Sequence, residues 1–192
     1  MYRILSSYLS VIYVNNWKET TNSILNAFEK RNQKKLRKIN DDVLKETVIS
    51  FTKLAYELAV ISYVLSKIIS KPRFLAKENE GKMQAIEKNI SELAKAANDT
   101  ETLEKCKTIM GAIKLLERDD ARFIIDLVSK GRLKVAATAY AQGVSLGIAR
   151  EMTGMDKQEI LDYAGKTMMF DRVKDEKGIE ERLTYARKLI KR

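Results

Sequence analysis

Six cationic side chains fall within nine consecutive positions: Lys30, Arg31, Lys34, Lys35, Arg37 and Lys38, with Glu29 the one acidic residue in 28–40. Ammonium and guanidinium groups at this density can neutralise backbone phosphates, and guanidinium forks add directional hydrogen bonds. Lys157 and Gln158 open a short polar helix, where a lysine can reach guanine or phosphate and a glutamine amide can pair with adenine. The remaining chemistry is sparse. The chain has no histidine and a single cysteine, Cys106. That removes Ser-His-Asp and Cys-His nucleophiles, His/Cys zinc sites and disulfide frameworks. Gly-rich phosphate loops are absent, and no general base with an evident partner can be named. Asp119, Asp120 and Asp126 gather near a helix start, where acidic groups complement the dipole, and are not read as a metal site. These residues describe a non-enzymatic binder without cofactor or metal.

The 192 residues carry a net charge of +10, unevenly spread. Residues 28–40 contribute +5 and 166–192 contribute +4, whereas 41–165 hold 19 charges of each sign. Affinity for a polyanion must therefore come from the first block and the tail. The tyrosines do not interleave with the basic cluster, which argues against a single-strand stacking platform. The lone cysteine reads as a small buried apolar group, and cysteine usage points to a reducing, cytoplasmic compartment.

One proline and eight glycines leave few chain breakers, so the elements that position these groups are helices throughout. Residues 2–14 read as a short helix, with Ile4, Leu5, Tyr8, Leu9 and Ile12 on one side. Asn15-Asn16 breaks it, and a second helix runs from about Trp17 to Ile39, its last turns carrying the basic cluster. Cations at a helix C-terminus suit the dipole, so part of the cluster needs no ligand to explain it. Asn40-Asp41-Asp42 then opens the longest element, ending near Ser70 ahead of Pro72. Its centre is apolar around most of its circumference, but Lys53 and Glu57 lie inside it, four apart and able to pair. It reads as a central bundle helix and not as a membrane span. Beyond a connector at 73–82, Met83, Ile86, Ile90, Leu93 and Ala97 form one stripe. Leu103, Cys106, Met110, Ile113 and Leu116 form another. Asn98-Asp99-Thr100 turns between them, predicting an antiparallel hairpin.

After Asp119-Asp120 glycine becomes frequent, and a boundary there divides a helical bundle (1–118) from a smaller subdomain with a helical tail (119–192). Ser145 can cap a helix ending at Gly154, and Asp156 with Glu159 forms a capping box for a second ending at Gly165. Two short helices across a tight glycine turn make a helix-turn-helix, with Leu133–Tyr140 packed beneath. Ser145, Leu146, Gly147, Ala149, Gly154, Met155 and Leu161 follow the pattern of a known family. The segment 145–161 resembles the helix-turn-helix of small prokaryotic antitoxins partnered with PIN-domain nucleases. The resemblance implies a regulatory DNA-binding element. Residues 143–165 nevertheless net −2, so the basic blocks must supply most of the affinity.

The sequence thus predicts an all-α protein: a bundle around a long central helix, then a helix-turn-helix-like subdomain. It predicts a nucleic-acid binder, DNA first, acting as a homo-oligomer away from membranes. Lys30, Arg31, Lys34, Lys35, Arg37 and Lys38 would grip phosphates while Lys157 and Gln158 probe bases. The alternative is a helical protein-interaction scaffold or oligomerising protein with no nucleic-acid binding.

Overall fold

The structure is a computed structural model describing residues 17–50, 52–118 and 126–172. The predicted helices at 2–14 and in the tail, and Asp119-Asp120, lie outside the described residues. Those described form nine α-helices and no strand: α1 (Trp17–Glu29), α2 (Gln33–Ser50), α3 (Lys53–Ile69), α4 (Glu80–Lys95), α5 (Asp99–Glu117), α6 (Leu127–Ala141), α7 (Leu146–Thr153), α8 (Lys157–Lys166) and α9 (Met169–Arg172). Two 3-10 turns, Pro72–Leu75 and Lys77–Asn79, fill the predicted connector. The fold class is all-α.

α3 is the centre, with 14 of its 17 residues buried. α2, α5, α6 and α7 all pack on it, which is why its apolar residues run around most of the circumference. No helix among the described residues is long and apolar enough to cross a membrane. Its buried hydroxyls, Ser62 and Ser66, donate to the carbonyls of Ala59 (3.0 Å) and Tyr63 (2.6 Å).

The element boundaries in 17–70 differ from the expectation. The predicted helix 17–39 breaks at Arg31, which adopts φ +50°. The Arg31 N–H donates to Phe28 O (2.9 Å) and the Asn32 N–H to Ala27 O (2.8 Å), the paired bonds with which a left-handed residue closes a helix. Asn32 Oδ1 then accepts from the Lys35 N–H (2.9 Å) and starts α2. Asn40, expected to break the chain, is 3% exposed in mid-helix. Its Nδ2 donates to Ala59 O on α3 (2.7 Å), so this polar residue ties two helices together. The long element is instead two helices, α2 and α3, and the Thr52 hydroxyl accepts from the Ala55 N–H and caps α3. Glu57 turns inward to Arg132, 75 residues away, and not to exposed Lys53.

The predicted hairpin is present as α4–α5. Met83, Ile86, Ile90 and Leu93 face Cys106, Met110, Ile113 and Leu116 in the core, while Leu103 is half-buried and Ala97 lies exposed beyond the end of α4. Asn98 Oδ1 accepts from the Glu101 N–H (2.9 Å) at the turn, and Lys105 pairs with Glu92 at 2.8 Å across it. Cys106 is fully buried, and desolvation, with Glu57 nearby, pushes its thiol pKa up to about 12. The native protein should therefore release no chromophore from Ellman's reagent over minutes at about pH 8, where an ordinary thiol reacts readily. Unfolding in guanidinium should expose one thiol equivalent at once. Rapid native labelling would contradict this burial.

α6 crosses α3 at Gly131, where an added Cβ would sit 2.8 Å from Val64 Cγ2 and 3.3 Å from Val60 Cγ1. Gly111 on α5 faces open space. Gly111→Ala should gain about 0.5–1 kcal/mol from reduced backbone freedom. Gly131→Ala should forfeit that gain to overpacking, which costs about 1–3 kcal/mol. Thermal denaturation should show Tm rising in the first variant and falling in the second.

α6 is shared between two apolar clusters. Leu127, Val128, Val135 and Ala139 belong to the main core, whereas Leu133, Ala136 and Ala137 meet Ala149, Ile160 and Ala164 of α7 and α8 in a smaller one. The predicted boundary near 119 adjoins the segment 119–125, outside the described residues.

Candidate nucleic-acid interface

α2 buries Leu36, Ile39, Asn40, Val43, Leu44 and Thr47, a helical spacing that sends Lys34, Lys35, Arg37 and Lys38 outward, where all four are exposed. None of the four forms an ion pair with another described residue. The break at Arg31 reverses the dipole argument made from sequence. The four cations occupy the first two turns of a helix, not its last turns, and no acidic residue lies in the first turn of α2. Cations there oppose the partial positive charge of the helix N-terminus.

Lys30 lies exposed in the turn, while Arg31 is engaged within the fold. Its guanidinium lies 4.9 Å from the Phe28 ring centroid and pairs with Glu87 of α4 at 3.3 Å. A groove of about 690 Å³ opens beside this pair, between the 3-10 turns and α4, with Glu80 and Glu87 in its lining. Arg31 and Lys77 line it as well, so its charge is balanced and does not select an anion.

The two-helix unit forms as its local signals indicate. Ser145 Oγ accepts from the Ile148 N–H (3.3 Å), Gly154 takes φ +72°, and Asp156 with Glu159 completes a capping box at α8. Lys157 and Gln158 are exposed at the start of α8. The Gln158 amide, however, donates to Asp162 Oδ1 at 2.8 Å, and Glu151, Asp156, Glu159 and Asp162 are all exposed around it. Any base contact by Gln158 must displace the Asp162 bond within an acidic surround.

Two features were not legible in the sequence. Arg132 on α6 fastens the unit to the core: it donates to both Glu57 oxygens at 2.9 Å and to Thr153 O, in the last turn of α7, at 3.1 Å. The second is a basic cluster around half-buried Tyr63. The Lys67 and Lys134 ammoniums lie 5.4 Å and 4.5 Å from its ring centroid. Burial, then the neighbouring Tyr163, pushes the Tyr63 hydroxyl pKa up to about 12, while Arg37 pulls the other way. Arg37 of α2 and Tyr163 of α8 thus act on this phenol electrostatically. Lys157 sits six residues earlier on α8, about 9 Å along the helix axis from Tyr163. Lys67 and Lys134 both lie in the stretch 41–165 that sums to zero, so a charge count along the chain gives no sign of them.

Among the described residues no group of His, Cys, Asp or Glu could hold a metal ion. Comparison with protein-family models, with curated proteins and with solved structures finds no match.

Proposed function

We propose that this is a non-enzymatic nucleic-acid-binding protein, regulatory or antitoxin-like, with DNA as its polymer, acting as a homo-oligomer. The carrying observation is the outer face of α2. Lys34, Lys35, Arg37 and Lys38 stand exposed over the first two turns, and the dipole disfavours Lys34 and Lys35 in the first. Phosphates are the partner that would repay that cost. Lys30 extends the grip through the turn, whereas Arg31, held by Glu87, serves mainly to fix the turn. Lys157 and Gln158 then probe bases from α8, their acidic surround leaving most of the affinity to α2.

Fluorescence anisotropy with random duplex DNA and with RNA, between about 50 and 300 mM salt, tests the reading. Tight binding that weakens steeply with salt, and is lost in Lys34→Glu/Lys35→Glu/Arg37→Glu/Lys38→Glu, supports it. Absence of binding to either polymer at low salt would overturn it. A second reading, a protein-interaction scaffold, is favoured by one patch: Met168 is 63%, Phe170 53% and Leu161 36% exposed, an apolar surface at α8–α9. Self-association at any salt without nucleic-acid binding would favour that alternative.

A further inference from the structure

The groove beside Arg31 encloses about 690 Å³, within the roughly 300–1,000 Å³ usual for small-ligand sites. Its walls are fixed by contacts inside the fold. Phe74, 1% exposed, anchors the first 3-10 turn. The Asn79 amide donates to Arg73 O at 3.0 Å and ties the second turn to it. Arg31 is held by Glu87 and Phe28 with its backbone left-handed. For a residue other than glycine that conformation costs about 1–3 kcal/mol, and such strain gathers at ligand clamps. Walls set in advance leave little to be ordered when a ligand arrives.

The lining combines two chemistries. Leu75, 43% exposed, and Met83 give it an apolar surface. Arg31 and Lys77 bring positive charge to it, Glu80 and Glu87 negative. Arg31 and Glu87 satisfy each other. Neither Lys77 nor Glu80 forms an ion pair with another described residue, although both line the same groove. Glu80 accepts one long hydrogen bond, from the Gln84 amide at 3.5 Å. A ligand with a single charge of either sign is repelled by half of these groups. A dipolar ion is attracted at both ends.

We propose that this groove binds a small zwitterion with an apolar side chain, its carboxylate on Lys77, its ammonium on Glu80 and its side chain against Leu75 and Met83. A free apolar amino acid and a short apolar peptide with free ends share this chemistry. The site goes beyond the nucleic-acid reading and does not depend on it.

Carbon-13 labelling of the methionine methyls reads the groove through Met83, with Met83→Leu identifying its signal. The zwitterionic probes are leucine and dileucine. N-acetyl-leucine keeps only the carboxylate and leucinamide only the ammonium, all four at matched ionic strength and up to about 50 mM. Leucine or dileucine should shift the Met83 methyl saturably and bind at least about threefold tighter than either singly charged relative, the scale of one exposed ion contact. A response to leucine alone supports a free amino acid as the ligand, and a response to dileucine alone supports a peptide. Lys77→Gln should weaken the zwitterion and turn the preference toward leucinamide, whereas Glu80→Gln should turn it toward N-acetyl-leucine. Both positions are exposed, so the two variants should melt with wild type. No saturable shift with either zwitterion overturns the proposal. Equal affinity for the three charge forms, or a preference unaltered in both variants, overturns it as well.

Discussion

Arg132→Met is expected to lower unfolding stability by about 3–5 kcal/mol, the usual cost of stranding one member of a buried ion pair. Glu57 is 7% exposed, and both its oxygens are taken by Arg132. Without that partner a carboxylate remains in the core beside Cys106. The same substitution removes the donor to Thr153 O, so α7 loses its fastening as well as the pair. The double variant Glu57→Met/Arg132→Met should recover most of the loss, because an apolar replacement of a buried pair is often neutral or stabilising by about 1–4 kcal/mol. Urea denaturation of the three variants and wild type forms a complete cycle. A loss below about 1 kcal/mol in Arg132→Met would show that the pair does not hold the two parts together.

The other large effect is on binding. If six phosphates are contacted, log K should fall with log salt at a slope near −5, about a thousandfold between 50 and 200 mM. Reversing Lys34, Lys35, Arg37 and Lys38 to Glu replaces four attractions with four repulsions and should reduce affinity by at least about a thousandfold at low salt. Folding should respond in the opposite direction. An acidic side chain at position 34 or 35, in the first turn of α2, is worth about 0.3–1 kcal/mol at low ionic strength. The variant should melt at or above the wild-type temperature while losing nucleic acid. Calorimetry beside anisotropy separates the two responses, and a variant that both unfolds and stops binding would remove the argument for a functional origin of these cations.

The parts of the fold set by local chemistry were legible in the sequence. Ser145, Gly154, Asp156 and Glu159 each act within a few residues of their own position, and the α4–α5 stripes need only helical periodicity. The helix boundaries before residue 70 were not, for two physical reasons. Arg31 takes a backbone conformation that sequence patterns assign to glycine or asparagine, stabilised by Phe28 on the preceding helix and by Glu87, 56 residues away. Asn40 looks like a cap until its partner, Ala59 O, is in place 19 residues along the chain. The candidate site divides in the same way. The cations of α2 are adjacent in sequence and visible as a run. Lys67 and Lys134 belong to different helices, and Arg132 is explained only by a carboxylate 75 residues away.

The double burial of α6 has a consequence for separability. With Val128 and Val135 turned to one cluster and Leu133, Ala136 and Ala137 to the other, this helix has two apolar sides and can leave neither in water. The α7–α8 unit cannot be excised with α6 and transplanted as an independent reader head, because severing it would uncover the face that Val60 and Val64 now cover at Gly131. Ordering of α7 and α8 is thereby coupled to completion of the main core, and a chain whose bundle has not closed holds no assembled interface to offer a partner.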